Sequence, residues 1–292
     1  MIACGRSERP RLAADMLDRL DSGIARPAYR RDGPRGGIVH LGIGAFHRAH
    51  QAVYTDDALA AGDEGWGITA VSLRSPTVRD AMGAQDNLYT VVERSGTGAA
   101  MRIVGAVDQV LVAPENPAAV VAALASPETH VVTLTVTEKG YCREAGSGQL
   151  DFAQAARAGT IYTYLSAALA RRRDLGCGGL TLVSCDNLPD NGRVLANLLT
   201  DYLERQDGAL AVWAARNTAC PNAVVDRIVP AVTDADIETL SDTAGFVDRA
   251  MVATEPFRQW IIENRFAGPR PRWEAGGAQI VDDVRPFELA KL

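Results

Sequence analysis

The sequence has no run of about 18 uninterrupted apolar residues, so no transmembrane helix is expected. Its first residues, "MIACGRSERPRLAADML", hold no long apolar stretch and do not read as a secretory signal. There is no excess of positive charge. The net charge of −6 argues against a general nucleic-acid or anionic-membrane binder. The five cysteines, Cys4, Cys142, Cys177, Cys185 and Cys220, are scattered and odd in number, with no C-x-x-C pair. That set makes no disulfide framework, offers no zinc site and fits a reducing cytosol. A cytoplasmic protein with no metal, membrane or nucleic-acid partner is therefore expected.

What is there is ordinary for a globular chain. The 292 residues suffice for one large α/β domain or two small ones, and 47% hydrophobic with 23% charged residues is a typical balance. Residues 1–35 are polar with one short amphipathic segment, "LAADMLDRL", and read as a surface arm. "IVHLG" is the first strong strand and "ITAVSL" the second. Ser75 before Pro76 predicts an N-cap and a helix start. "LYTVVER", "MRIVGAVDQVLVA", "HVVTLTVT", "LTLVSCD", "MVAT" and "AQIVDD" read as strands. "PENPAAVVAALAS", "GTIYTYLSAALARRR", "PDNGRVLANLLTDYLERQ", "DADIETL" and "FRQWIIE" read as helices. Apolar strands alternating with amphipathic helices predict a parallel sheet covered on both faces.

Gly42 and Gly44 fall where the first strand becomes a helix. In a dinucleotide-binding turn the first glycine allows the bend, and the second lets the backbone approach a pyrophosphate. The third glycine of that fingerprint is replaced by His47, so from the residues alone a plain tight turn stays equally open. His47 and His50 are spaced to share a metal, but no acidic or cysteine partner is near, and partly buried polar contacts at a helix start are the expectation. Arg48 and His50 are expected to shape the turn. The acid that would hold the ribose of NAD is missing from the end of the second strand, where Arg74 stands instead. An arginine can accept the 2′-phosphate of NADP, so the residues leave the cofactor open.

"HLGIGAFHRAHQ", "TVTEKGY", "LVSCDNLPDNG", "CPNAVVDRIVP" and "EPFRQWIIENRFAGPRP", in this order, closely resemble the long-chain polyol dehydrogenases, a family that includes mannitol 2-dehydrogenases and fructuronate reductases. The resemblance runs from about residue 38 to the end of the chain; Cys220 stands where an aromatic residue is common. It implies an α/β fold with an expanded, doubly wound Rossmann-type sheet over 36–284, followed by a helical catalytic domain of which 285–292 would be a stub. It implies a nicotinamide cofactor, NAD by family habit with NADP as the alternative, and no metal. It also implies a small polyol or hexonate partner and a monomeric full-length protein. Mannitol to fructose is the expected reaction, with fructuronate reduction to mannonate as the rival and a non-catalytic dinucleotide-binding module as a reading from another class.

Oxidising a secondary alcohol needs a base for the hydroxyl proton and donors for the oxygen as charge develops on it. A lysine serves as base where burial or neighbouring cations lower its pKa toward about 7–8. The resemblance assigns that role to Lys291, in a K-x-x-x-x-N-x-x-H pattern whose last two members would lie beyond Leu292. "RPFELAKL" also starts a helix that has no stop signal. The chain is therefore expected to be truncated and, alone, inactive in hydride transfer. By resemblance Asn187 is an oxyanion donor and Asp226 binds the polyol; from spacing alone, Asn187 reads as an Asx-turn residue and Asp226 as half of a surface pair with Arg227. Gly42, Gly44, Ala45 and Phe46 would line the cofactor turn. Thr137 and Glu138 follow a strand's carboxyl end, where ligands lie in open α/β sheets.

Overall fold

The computed structural model describes residues 9–32 and 36–291. The strands are β1 (Ile24–Ala25), β2 (Gly36–Leu41), β3 (Trp66–Ser72), β4 (Tyr89–Ser95), β5 (Gly98–Val104), β6 (Val107–Val112), β7 (Val131–Leu134), β8 (Leu180–Ser184), β9 (Thr218–Ala219), β10 (Ala223–Asp226), β11 (Val252–Thr254), β12 (Gln259–Glu263) and β13 (Gln279–Val281). The helices are α1 (Ala45–Ala49), α2 (Gln51–Ala60), α3 (Thr77–Gly83), α4 (Pro117–Ala125), α5 (Thr137–Gly140), α6 (Phe152–Ala155), α7 (Ile161–Leu175), α8 (Asn191–Gln206), α9 (Gly208–Asn217), α10 (Asp234–Ala244) and α11 (Arg285–Lys291).

Period-two burial sets the layers. Val39, Leu41, Val132, Leu134, Leu180 and Leu182 point to one face of the central strands and pack with residues of α4, α7, α8 and α9. Ile38, Ile68, Val131 and Val183 point to the other face, where Ala52 and Val53 of α2 meet Trp260 and Trp273. Burial on both faces makes β2, β7 and β8 nearly continuous buried, mostly apolar runs, as expected of a sheet covered on both sides. The sheet is parallel throughout, in the order β6-β3-β2-β7-β8-β9. Renumbered within the sheet, that is 3-2-1-4-5-6, the dinucleotide-binding order, and it reverses direction between β2 and β7. The α/β, doubly wound Rossmann-type fold is thus present.

Two smaller sheets complete the body: β1-β5-β4-β11, which is mixed, and β10-β12-β13. The second of these corrects an expectation. "FRQWIIE" is strand β12, not a helix. Trp260 and Ile262 bury into the large core while Ile261 buries on the opposite face against Val224 and Val284. A short apolar run buried on both sides carries no helical period to read. A smaller shift affects α3: Pro76 occupies its cap and Ser75 donates to the Thr77 hydroxyl at 3.3 Å, one residue from the expected boundary.

The surface arm is corrected too. Of residues 1–35, 1–8 and 33–35 lie outside the described residues, and 9–32 are fastened down. Leu12 is fully buried with Phe246, Leu88 and Ile103, and its N–H donates to Val247 O at 2.9 Å. β1 adds to β5 in register Ile24↔Met101. The apolar residues that dock this segment are too sparse in sequence to show a period. Among the described residues, no helix is long and apolar enough to cross a membrane.

Leu12→Ala tests this docking. We expect it to lower unfolding free energy by about 3 kcal/mol, the usual cost of emptying a buried leucine site, as read from urea denaturation. A free arm would give no measurable change.

Candidate active site

The glycine turn lies at the carboxyl end of β2. Gly42 N and Ile43 N both donate to Val71 O of β3, at 3.0 and 3.1 Å. Gly42 has φ +103°, and a Cβ there would lie 2.2 Å from Thr135 O, just past β7. Only glycine fits. Gly44 differs. Its backbone is extended, and a Cβ would have Gly42 O, at 3.8 Å, as its nearest neighbour. The protein itself does not require glycine at this position. The requirement would come from a group outside the chain that needs to reach the backbone, as a pyrophosphate does. Ala45 and Phe46 follow in the first turn of α1, whose leading amides have no intrahelical acceptor. These residues fit a dinucleotide.

Side-chain hydrogen bonds tie the turn to the next strand ends. Thr135 Oγ1 donates to Gly42 O at 2.8 Å. His40 of β2 lies between Thr133 Oγ1 (2.8 Å from Nδ1) and Thr135 Oγ1 (3.0 Å from Nε2). Since the Thr135 hydroxyl spends its proton on Gly42, it accepts from His40 Nε2–H. Beyond β7, the Asp186 carboxylate accepts from Val136 N at 3.1 Å, Thr137 N at 2.9 Å and the Tyr141 hydroxyl at 2.9 Å. Thr137, a β-branched residue, is held at φ +64°. Burial pushes the Asp186 carboxyl above its ordinary range.

Asp186 is followed by Asn187, and here the second part of the site assembles. Lys291 Nζ donates to Asn187 Oδ1 and to Val225 O, both at 2.8 Å. The two residues, 104 positions apart, meet on a groove of about 540 Å³ also lined by Asp186, Arg285 and Glu288. Asp226 follows Val225 at the end of β10 and is half-buried. The motif residues around them are structural. Asn191 donates to Ala223 O at 2.7 Å and accepts from Ala223 N at 2.9 Å, locking the start of α8 to β10. Asn222 accepts from Arg193 N at 3.0 Å and donates to Glu263 Oε1 at 3.1 Å.

Asp226 and Arg227 do not form the surface pair that spacing alone suggests. The Arg227 side chain is fully buried. It donates to Ala49 O at the end of α1 and pairs with Glu93 of β4. Glu138 and Arg74 are exposed beyond the ends of β7 and β3, outside the groove. Among the described residues, no group of three or more His, Cys, Asp or Glu is placed to hold a metal ion.

A family model described as the mannitol dehydrogenase Rossmann domain matches residues 36–275. The chain belongs to the mannitol dehydrogenase family. It is 39% identical over 289 residues to a mannitol 2-dehydrogenase of Pyricularia oryzae, covering 94% of this chain and 58% of that protein. It is 40% identical over 283 residues to the D-mannonate oxidoreductase of Escherichia coli, with 92% and 58% covered. Among solved structures it matches Pseudomonas fluorescens mannitol 2-dehydrogenase in ternary complex with NAD and D-mannitol, with a TM-score of 0.91 and 38% identity, over 96% of this chain and 60% of that one. The chain thus spans about three fifths of the length of these relatives.

In this chain, Asp186 was not singled out from the sequence, and Arg227 was read only as half of a surface pair with Asp226. Asp186 sits in the quoted "SCDN" beside Asn187, and Arg227 in the quoted "VDR". Local spacing does not show what either touches, because the partners given above lie 45 or more residues away in sequence. The histidines of "HRAH" also differ from expectation: they are completely buried, not partly so. His50 donates to Gln259 O at 2.7 Å and accepts from Gln51 at 2.9 Å. His47 stacks on His40 with ring centroids 3.4 Å apart, and among the described residues its ring nitrogens have no partner in good hydrogen-bond geometry.

Burial pushes all three histidines toward the neutral form: His40 and His50 down to about 3, and His47 well below its usual value. In the unfolded chain they take up protons near pH 6.5. Unfolded chains then bind more protons than folded ones, so stability present above pH 6.5 is lost as pH falls toward 3, by up to about 1.4 kcal/mol per pH unit for each histidine. Asp56, Asp186 and Asp248, whose carboxyls burial raises, act in the opposite sense at the acid end. We expect the melting temperature to fall between pH 7 and pH 5.5 and the slope to be shallower in His50→Gln. A flat profile would contradict neutral buried histidines.

Proposed function

We propose that the protein is an NAD-dependent oxidoreductase that moves hydride between the cofactor and a small polyol, with D-mannitol to fructose as the reaction. The observation that carries this reading is the contact of Lys291 with Asn187 in the groove, which is also lined by Val225, the residue before Asp226. The Gly42–Phe46 turn would hold the dinucleotide, with Thr137 and Glu138 on the neighbouring strand end. The bound nicotinamide supplies the hydride acceptor.

This chain's own side chains would supply part of the remaining chemistry. Lys291 takes the hydroxyl proton. Asn187 presents its oxygen to Lys291, which leaves its Nδ2 hydrogens free to donate to the substrate oxygen as negative charge builds there. Asp226 accepts hydrogen bonds from polyol hydroxyls. Val225 O fixes the direction from which the ammonium enters, because a backbone carbonyl cannot swing away. A cytoplasmic setting is supported by the free thiols of Cys142, Cys177, Cys185 and Cys220.

Mannonate is the second substrate reading, favoured by the Escherichia coli relative, whose 40% identity does not separate it from the mannitol enzymes. A panel of D-mannitol and D-mannonate with NAD distinguishes the two. Titration of the chain with NADH, followed by cofactor fluorescence, should show saturable binding, and its absence would sink the reading. Where turnover is measured, Lys291→Ala should remove most of it with NADH binding intact. Asn187→Ala should cost roughly two to three orders of magnitude in kcat, as for loss of one oxyanion donor. Unchanged kcat in either variant would remove that residue from the chemistry.

A further inference from the structure

We infer that Thr135 and His40 are positioning residues for the cofactor. A hydrogen-bond relay from Thr133 through His40 and Thr135 to Gly42 O fixes the peptide from which the glycine turn starts, and with it the place of Gly44. This rests on the reading of the Gly42–Phe46 turn as a dinucleotide site.

The peptide between Gly42 and Ile43 is clamped from both neighbouring strands. Its N–H, from Ile43, donates to Val71 O of β3 at 3.1 Å. Its C=O, from Gly42, accepts from Thr135 Oγ1, just past β7, at 2.8 Å. The backbone ladder between β2 and β7 ends at this level, where Thr135 N donates to Leu41 O at 3.0 Å. A side chain, not the sheet, therefore holds Gly42 O. A glycine peptide turns at little steric cost, and Gly42, at φ +103°, has no Cβ to resist rotation. The Thr135 hydroxyl gives the turn one setting where sterics do not. Without it the peptide can pivot about the remaining bond to Val71 O, and Gly44 lies two residues further on, where a pyrophosphate would reach the backbone.

The relay has one consistent set of protons. A hydroxyl carries a single proton, and that of Thr135 goes to Gly42 O. Thr135 Oγ1 then accepts from His40 Nε2–H at 3.0 Å, and His40 Nδ1 accepts from Thr133 Oγ1 at 2.8 Å. His40 and Thr133 are buried, so solvent does not compete for these bonds. The incoming Nε2–H occupies a lone pair of the Thr135 oxygen and keeps its hydroxyl turned toward Gly42. The His40 ring also stacks on His47 of α1, with centroids 3.4 Å apart and planes 12° from parallel. One side chain of β2 thus ties the end of β7 to α1, the elements that meet at the turn. His40 acts on the cofactor through Thr135, and Thr135 acts through the backbone of Gly42.

The test is titration of the chain with NADH, by fluorescence or calorimetry, in wild type, Thr135→Val, Thr135→Ser and His40→Phe, each below its own melting temperature. Valine keeps the outline of threonine without the hydroxyl, and serine keeps the hydroxyl. Thr135→Val should weaken NADH binding roughly fivefold to tenfold, the scale of one hydrogen bond, while Thr135→Ser stays within about twofold of wild type. His40→Phe keeps a flat ring against His47 but releases the Thr135 hydroxyl. It should weaken NADH binding alone and add less than about twofold to Thr135→Val, because both changes break the same relay. If Thr135→Val does not fold, His40→Phe carries the same comparison with wild type. A purely structural role would lower the melting temperature of Thr135→Val and leave its NADH affinity unchanged. That result would overturn the inference and leave the dinucleotide reading standing, as would equal losses in the valine and serine variants. Fully additive losses in the double variant would overturn the role given to His40. Absence of NADH binding in the wild type would overturn the inference together with the dinucleotide reading beneath it.

Discussion

Everything at the site depends on the closeness of Gly42 to Thr135 O. These backbones belong to the ends of β2 and β7, the two strands between which the sheet order reverses. No side chain fits between them at Gly42. The approach lets Thr135 bond to Gly42 O and receive His40, and it brings the Val136 and Thr137 amides to the Asp186 carboxylate. Asn187 then follows directly, and Lys291 meets it. The glycine turn and the candidate base are thus joined by one rim of short contacts along the carboxyl edge of the sheet. Geometry held this way needs little reorganisation when charge develops, which is the main source of oxyanion stabilisation.

A second set of contacts holds that rim against the rest of the body. Arg48 reaches Ala250 O, Arg227 reaches Ala49 O, and His50 reaches Gln259 O. On the other side of α2, Arg102 bridges Asp56 and Asp57 at 2.6 and 2.8 Å. Buried charges of this kind add little net stability, but losing one partner leaves the other desolvated and unpaired. Their effect is to fix position: the segment Phe46–Gln51 has one place to sit, between the parallel sheet and the two smaller ones.

The central sheet was legible because its strands are buried on both faces and read as unbroken apolar runs, as in "IVHLG" and "HVVTLTVT". The same two-sided burial misled at Gln259–Glu263, where a short run flanked by charged residues resembled a helix. The docked segment around Leu12 and Ile24 was illegible because two distant apolar residues make no pattern. Asn187, Asp226 and Lys291 were named through family resemblance, since spacing cannot reveal a contact made across 104 residues. Composition held an unused clue. The chain has only two lysines, Lys139 and Lys291, against many arginines. Where a chain uses arginine almost everywhere else, its few lysines are the cations able to give up a proton, and Lys291 is one of two.

The central claim is that the Gly42–Phe46 turn exists to admit a dinucleotide, and Gly44→Val tests it most directly. A Cβ at Gly44 meets nothing nearer than Gly42 O, at 3.8 Å, so the variant should fold, which its melting temperature checks. Calorimetric titration with NADH should then show binding lost, because the added methyl groups occupy the approach of the pyrophosphate. Unchanged NADH affinity in a folded Gly44→Val protein would contradict the account.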